Sequence, residues 1–390
     1  VVFTGNLLLT TICFSLITVM KIGLIIYGRL DTISGGYLYD RQLVDYLQAQ
    51  GDTVELISLP WEGYGRHLLH NFWFALQEQL RQAEFDILLQ DELNHPSLFW
   101  LNRRLRGELR YPIVSIVHHL RCSEARSRWQ NWLYRLVEQR YLASVDGFIF
   151  NSQTTRQVVQ ALVGDSQAQV VALPAGDRLQ PAIAAEQIEL RAQRPGPLCL
   201  LFVGNLIPRK GLHVLLEAAA GLPRIEWQLA VVGDTAVSPR YTRQIQQAIN
   251  QHDLKDNVTL HGPFSDDELA AQMAQSQVLV VPSSYEGFGI VYLEGMSFGL
   301  PAIAGRGGAA HEIITEGVDG FLVEDAEMLR QHLHSLHHNR TQLAQMSLAA
   351  QKRFTNHPTW AASMSHIRQF LPSVIHAQAD HKNGYPPARV

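Results

Sequence analysis

The stretch Ser283–Val323, SSYEGFGIVYLEGMSFGLPAIAGRGGAAHEIITEGVDGFLV, decides how the rest of the chain is read. It follows a short apolar run, Val278–Val281, that reads as a buried strand. A helix is expected from near Ile290, then a strand at Ala302–Ala304 and another at Gly320–Val323. Strand, helix and strand in this rhythm imply βαβ units and a parallel sheet. The strands are continuously apolar rather than alternating, as strands covered on both faces must be.

The same rhythm extends to both sides. Towards the C-terminal half it includes Leu198–Val203, Gln228–Val232 and Val258–Leu260. In the first half, strands are expected at Lys21–Tyr27, Thr53–Ser58, Phe85–Gln90, Ile113–Val117, Gly147–Phe150 and Val170–Leu173. Helical patterns at Tyr37–Ala49, His67–Ala83 and Arg126–Leu142 lie between them. Residues 178–197, RLQPAIAAEQIELRAQRPGP, break the pattern with three prolines and read as an interdomain linker. The expected organisation is an α/β chain of two similar parallel-sheet domains, residues 20–180 and 198–357. A late helix, 358–372, and a disordered tail, 373–390, follow. Ligands bind beyond the C-terminal ends of such strands, so a cleft between the domains is the default site.

Composition bounds the function. Of 390 residues, 46% are hydrophobic and 17% charged, which excludes a disordered chain and fits two to three domains. Lys+Arg 32 against Asp+Glu 36 gives −4, so nucleic acid is not an expected partner. Three cysteines are too few and scattered for a disulfide framework, and a reducing, cytoplasmic compartment is the simplest reading. Residues 1–19 are apolar but interrupted by Thr, Ser, Asn and Gly, with no basic residue before them. They make a poor signal peptide and a marginal membrane span, and read as a loose tail or mis-called start before a fold that opens near Met20.

Four loops carry chemistry. In Glu286-Gly287-Phe288-Gly289, the glycines let backbone approach a ligand, and the helix start at Ile290 offers N–H groups to an anion. Glu286 precedes that helix and Glu294 lies inside it, so one carboxylate can take sugar hydroxyls and the other a ribose diol across a diphosphate. Phe202–Leu216, FVGNLIPRKGLHVLL, places Arg209 and Lys210 on a strand-to-helix loop, suited to a departing diphosphate. Thr32–Tyr37 brings Gly35 and Gly36 to the loop after the first strand. His118 and His119 stand at the tip of Ile113–Val117.

Together these pieces, from Met20 to about Leu371, resemble the retaining glycosyltransferases of family 4, which have the GT-B fold of two Rossmann-like domains facing across a cleft. The E-x7-E element is matched by Glu286 and Glu294, and the glycine-rich tail by Gly307, Gly308, Glu312 and Gly320. The first-loop glycines are matched by Gly35 and Gly36, and a D-x4-N-S stretch by Asp146, Asn151 and Ser152. The late helix resembles one that crosses back onto the N-terminal domain. The resemblance implies that the N-terminal domain binds the acceptor and the C-terminal domain the donor, a nucleoside diphosphate sugar. It implies that Glu286 contacts the donor sugar, Glu294 the ribose, Lys210 the diphosphate, and His118 the reacting sugar. Gly35, Gly36, Arg209, Gly287, Phe288, Gly289 and Ile290 complete the expected donor site. Two departures stand out: Asn205 occupies a position where the family often has arginine, and Ala175 one where it often has asparagine.

Other readings are weaker. Gly295-Met296-Ser297-Phe298-Gly299 fits a nucleophile elbow, but its serine falls inside a helix rather than on the strand-to-helix turn that motif needs. No G-x-G-x-x-G follows the first strand, against a nicotinamide enzyme. His334 and His338 are spaced to share a metal, yet no carboxylate or cysteine completes the set, so a solvated histidine face is expected. No D-x-D pair is placed for a metal–diphosphate bridge, so no metal and no further cofactor are expected. Residues 101–140 carry nine arginines and three glutamates, with Trp129 and Trp132 among them. That face reads equally as the outer side of a packed helix or as contact with an anionic membrane, which would place the protein peripherally at an inner membrane face. An epimerase or phosphorylase of the same fold, or a non-catalytic sugar-nucleotide binder, are the rival functions.

Overall fold

A computed structural model describes residues 19–124, 126–179, 181 and 183–382. The expectations for residues 1–18 and 383–390 lie outside the described residues. Among the described residues, twelve parallel strands form two six-stranded sheets. The first holds β1 (Lys21–Tyr27), β2 (Thr53–Leu59), β3 (Ile87–Asp91), β4 (Ile113–Val117), β5 (Gly147–Phe150) and β6 (Ala168–Val171) in the order β2-β1-β3-β4-β5-β6. The second holds β7 (Leu198–Val203), β8 (Trp227–Val232), β9 (Val258–Leu260), β10 (Val278–Val281), β11 (Ala302–Gly305) and β12 (Gly320–Val323) in the order β12-β11-β10-β7-β8-β9. This is the expected α/β architecture: two doubly wound domains, each with helices on both faces of its sheet.

The strand order explains where a ligand must go. In the first sheet β1 lies between β2 and β3, and in the second β7 lies between β8 and β10. Loops leaving β7 and β10 therefore part to opposite faces and open a crevice, as do those leaving β1 and β3. The two crevices face each other. The loops after β1, β3 and β4 line one wall of a single cavity, and those after β7, β8 and β10 line the other.

Beyond shifts of one or two residues at the ends of β2, β3, β6, β8 and β11, the chain departs from the sequence reading in three places. Within 178–197, residues Ala185–Gln193 are helical rather than a plain linker. Ala192 joins the C-terminal core, Ile188 is buried against Gly299, and Arg191 donates to the Phe298 and Gly299 carbonyls at 2.6 and 3.2 Å. The apolar face of this helix is short, and the flanking prolines mask it. The expected helix at His67–Ala83 is broken into Tyr64–Leu69, a 3-10 turn His70–Phe72, and Phe74–Gln82. Asn71 makes the break: its amide donates to the Leu68 and Pro96 carbonyls, and its oxygen accepts the Trp100 and Leu101 N–H groups.

The third departure is the tail. Helix Trp360–Lys382 runs well past 372, so residues 373–382 are not a disordered segment. Trp360, Met364, Ile367, Leu371 and Val374 are buried in the core of the N-terminal domain. The apolar spacing of these side chains continues through Pro372 to Val374, which carries the helix beyond its expected end. The helix packs against the N-terminal domain. Arg368 fixes it by donating to both carboxylate oxygens of the fully buried Asp52, at 2.7 and 3.0 Å.

Candidate functional site

The interdomain cavity encloses about 490 Å³. Its walls include Gly35, Gly36, His118, Arg209, Lys210, Glu286, Gly287, Phe288, Gly289, Ile290 and Glu294, so every expected site residue lines one space.

On the C-terminal wall, Lys210 Nζ stands 2.6 Å from Glu286 Oε1, and Arg209 Nη1 stands 3.5 Å from Glu286 Oε2. The Ser283 hydroxyl donates to the same carboxylate at 2.6 Å. Burial favours the neutral acid, but the charges of Lys210 and Arg209 and these hydrogen bonds outweigh it, holding Glu286 down at about 2. Glu286 thus anchors two cations at the cavity surface. Lysine has three N–H donors, so Lys210 can hold Glu286 and an anion together. Arg209 also donates to the Tyr285 carbonyl at 2.6 Å, which turns its guanidinium toward the loop after β10.

The helix Ile290–Ser297 begins at the cavity with Gly289 as its cap, at φ 105°. Glu294, one turn in, accepts from Arg178 Nε at 2.9 Å and lies 2.8 Å from its Nη2. Arg178 also pairs with Asp266. Burial raises the Glu294 carboxyl above its usual range, against the opposing pull of Arg178. The two carboxylates are therefore different: Glu286 is held ionised, while Glu294 is desolvated beside one guanidinium. Ser297 is buried within the helix and donates to the Glu294 carbonyl at 2.6 Å, so the nucleophile-elbow reading has no reactive serine.

On the N-terminal wall, the helix Gly35–Ala49 starts at the cavity, capped by Ser34, whose hydroxyl accepts the Tyr37 N–H at 3.3 Å. His118 Nε2 stands 3.2 Å from Asp40 Oδ1. Burial lowers the imidazole, but Asp40, with Asp91 and Glu92 behind it, raises it to about 9. His119 turns instead to Glu124, at 3.1 Å. Burial raises Glu124, and His119, Arg126 and Arg209 outweigh it and draw it down to about 2. Asp40, Asp91 and His118 offer ligand atoms within 4.8 Å of one another.

Gly287 lets the walls meet, and Gly36 gives room to His118 within its own wall. A Cβ on Gly287 would sit 2.3 Å from the His118 carbonyl oxygen, so a glycine of one domain touches the backbone of the other. A Cβ on Gly36 would sit 3.2 Å from the His118 ring. Glu312 lies outside the cavity lining and bridges the domains in another way. Its carboxylate accepts the N–H groups of Gln153 at 3.0 Å and Thr154 at 2.7 Å, capping the N-terminus of helix Gln153–Val163 in the opposite domain.

Sequence reasoning missed Arg178, Asp40 and Asp91. Asp40 was findable: it follows Gly36 by one helical turn and shares its face. Arg178 directly follows the Pro174–Asp177 segment but lies in a stretch read as linker. Asp91 ends β3, a position that strand boundaries alone mark poorly.

Two family models match consecutive parts of the chain: a glycosyl transferase 4-like domain over residues 34–176 and glycosyl transferases group 1 over residues 186–353. Each domain of the chain thus matches a glycosyltransferase model. A D-inositol 3-phosphate glycosyltransferase of Geodermatophilus obscurus is 30% identical over 301 residues, 70% of this chain and 65% of that protein. The alignments with the first curated relatives span 33%, 48% and 64% of those relatives' lengths. Among solved structures, sucrose-phosphate synthase from Thermosynechococcus elongatus superposes with a TM-score of 0.78 at 21% identity, over 92% of this chain and 100% of that one. Anabaena HepE, solved with UDP and glucose, superposes with a TM-score of 0.71 at 20% identity, over 91% of this chain and 100% of that one. For this GT-B chain these likenesses establish the fold.

Proposed function

We propose that the protein transfers a sugar from a nucleoside diphosphate sugar to an acceptor hydroxyl with retention of configuration, as a member of family 4 and without a required metal. The observation that carries this reading is the Lys210–Glu286–Arg209 cluster, which faces His118, backed by the buried Asp40, across the cavity. The diphosphate gains charge as the glycosidic bond breaks. Lys210, Arg209 and the helix starts at Gly35 and Ile290 supply positive potential where that charge develops.

Glu286 and Glu294 are each engaged by cations, and Asp40 by His118. A covalent glycosyl-enzyme would require one of these carboxylates to leave its partner. The departing phosphate oxygen is itself a base on the same face of the sugar, so the arrangement favours front-face attack by the acceptor. The raised His118 is a cationic donor to the sugar near neutral pH, and closing the cavity excludes water from the donor.

UDP-glucose, which a solved structure of Anabaena HepE contains, is the first donor to test. A thermal-shift panel of UDP, GDP and ADP sugars should show at least one stabilising donor; a panel with no shift removes the reading. With that donor, turnover should persist in EDTA and drop about a hundredfold in Lys210→Ala. Loss in EDTA with recovery on Mg²⁺ would refute metal independence. Product masses from donor alone and from donor with phosphate distinguish transfer from epimerisation and phosphorolysis.

We further propose that the protein is cytoplasmic and that its acceptor side sits peripherally on an anionic membrane, at the inner membrane face. No helix among the described residues is long and apolar enough to cross a membrane. Yet Phe72, Trp100, Trp129 and Trp132 are exposed on adjoining elements, with Arg104 over the Trp100 ring and Phe72 beside it. Aromatic rings among arginines suit the interface of an anionic bilayer. Sedimentation with vesicles of anionic lipid should carry the protein down at low salt, and Trp129→Ala/Trp132→Ala should abolish it; no binding to such vesicles rules the surface out.

A further inference from the structure

The histidine-rich face of helix Ala326–His338 gains in the fold the carboxylate it lacks in sequence. Glu226 ends the 3-10 turn Arg224–Glu226 and lies against this helix. Its Oε2 stands 3.4 Å from His334 Nδ1, and its Oε1 stands 3.8 Å from His338 Nε2. The two imidazoles, one helical turn apart, have ring centroids 4.2 Å apart. His337 joins them: ligand atoms of Glu226, His337 and His338 lie within 4.8 Å of one another. His337 Nδ1 faces Arg340 Nη2 at 3.2 Å, which leaves its Nε2 for another partner.

Glu226 is 9% exposed, and its Oε2 is buried with no hydrogen-bond partner. The histidine side chains opposite it are 51% and 52% exposed, so the unsatisfied oxygen lies beneath two imidazoles that solvent reaches from outside. We propose that Glu226 with His334 and His338, and His337 in reach, bind a divalent transition-metal ion of the zinc class. One carboxylate and two or three imidazoles are the borderline donors that Zn²⁺ prefers over Mg²⁺ or Ca²⁺. Two atoms bound to a tetrahedral zinc at about 2.0–2.1 Å stand about 3.3 Å apart, close to the Glu226–His334 separation before any adjustment. Water completes the exposed side.

The ion would not take part in sugar transfer. Glu226 immediately precedes β8, whereas Val232, Gly233 and Asp234, at the other end of that strand, line the cavity. A six-residue strand spans about 20 Å. The ion would instead clamp the turn before β8 to the helix Ala326–His338, and its binding would stabilise the C-terminal domain.

The test uses full-length protein without an affinity tag, titrated calorimetrically with Zn²⁺ and followed with Co²⁺ by visible absorption. One equivalent should bind at micromolar concentration or tighter, with cobalt bands of a low-coordinate site and a rise in Tm. His334→Ala/His338→Ala should weaken binding at least tenfold while leaving the donor-induced thermal shift unchanged. Both side chains are half exposed, so the variant should fold, and circular dichroism checks that. Glu226→Gln keeps the shape and should also weaken binding tenfold. Absence of a bound equivalent would overturn the proposal. So would affinity unchanged in either variant, since the ion would then lie elsewhere or the pair would be a plain histidine–carboxylate contact.

Discussion

Lys210 and Glu286 stand 76 residues apart in sequence and 2.6 Å apart in the cleft. Each charge is tolerable out of bulk water because of the other, and removing one strands its partner. Glu286→Gln should therefore lower both stability and turnover, the latter about a hundredfold. Its pH signature is distinctive. The folded carboxyl is depressed to about 2, below an ordinary value near 4.3, so its stabilisation is present above about pH 4.3 and lost as pH falls toward 2. The Tm gap between wild type and Glu286→Gln should be widest near neutrality and shrink below pH 4. Asp40→Asn has the opposite sign. His118 is raised to about 9, so the Asp40 contribution is fully present below about pH 6.5 and lost as pH rises through 9. The Tm gap for Asp40→Asn should be widest near pH 6 and close above pH 9. Melting curves across pH 3–10 check both, and gaps independent of pH would contradict the two ion pairs.

At the scale of elements, strand positions were legible because buried parallel strands are unbroken apolar runs, and β1, β4, β5, β7, β9, β10 and β12 begin and end where the sequence puts them. Glu286 and Lys210 were legible as well, because glycines and charges cluster on strand-to-helix loops. Their mutual contact was not, since it depends on β7 and β10 being neighbours, and no local pattern encodes strand order. Asp40 and Arg178 share that fate: their partners, His118 and Glu294, are 78 and 116 residues away. Glu312 is the sharpest case. In sequence it is only one residue of the glycine-rich tail, whereas the fold uses it as a cap for a helix of the other domain. Glu312→Ala should cost about 1 kcal/mol in urea unfolding, the usual loss for a helix cap. Because that cap also joins the domains, KM for donor should rise more than kcat falls. Gly287→Ala acts at the same seam from the other side: its methyl group would meet the His118 carbonyl and hold the walls apart. Turnover should fall while the melting of each domain is retained; full activity in Gly287→Ala would show that the walls need not touch.

For the whole molecule, the decisive piece is the return of the chain. Helix Arg340–Thr355 packs on the C-terminal domain, and Trp360–Lys382 then crosses to the N-terminal core. The N-terminal domain is thus completed by residues from the far end of the chain. It cannot be excised at the linker without losing Trp360, Met364, Ile367 and Leu371 from its core. Arg368 and Asp52 mark the closing contact, and Asp52 also accepts the Met20 N–H at 3.0 Å, at the start of β1. Arg368→Ala leaves a buried carboxylate with that N–H but without its cation, at a cost of roughly 3 kcal/mol. The loss belongs to one domain. Differential scanning calorimetry should show the transition of the N-terminal domain moved down by several degrees, with the other transition in place. A donor that bridges the cleft should draw the two transitions back together, since it binds only when both walls are folded. A uniform shift of a single transition in Arg368→Ala, with or without donor, would mean that the two domains unfold as one unit and that the crossing helix couples them far more tightly than this one ion pair implies.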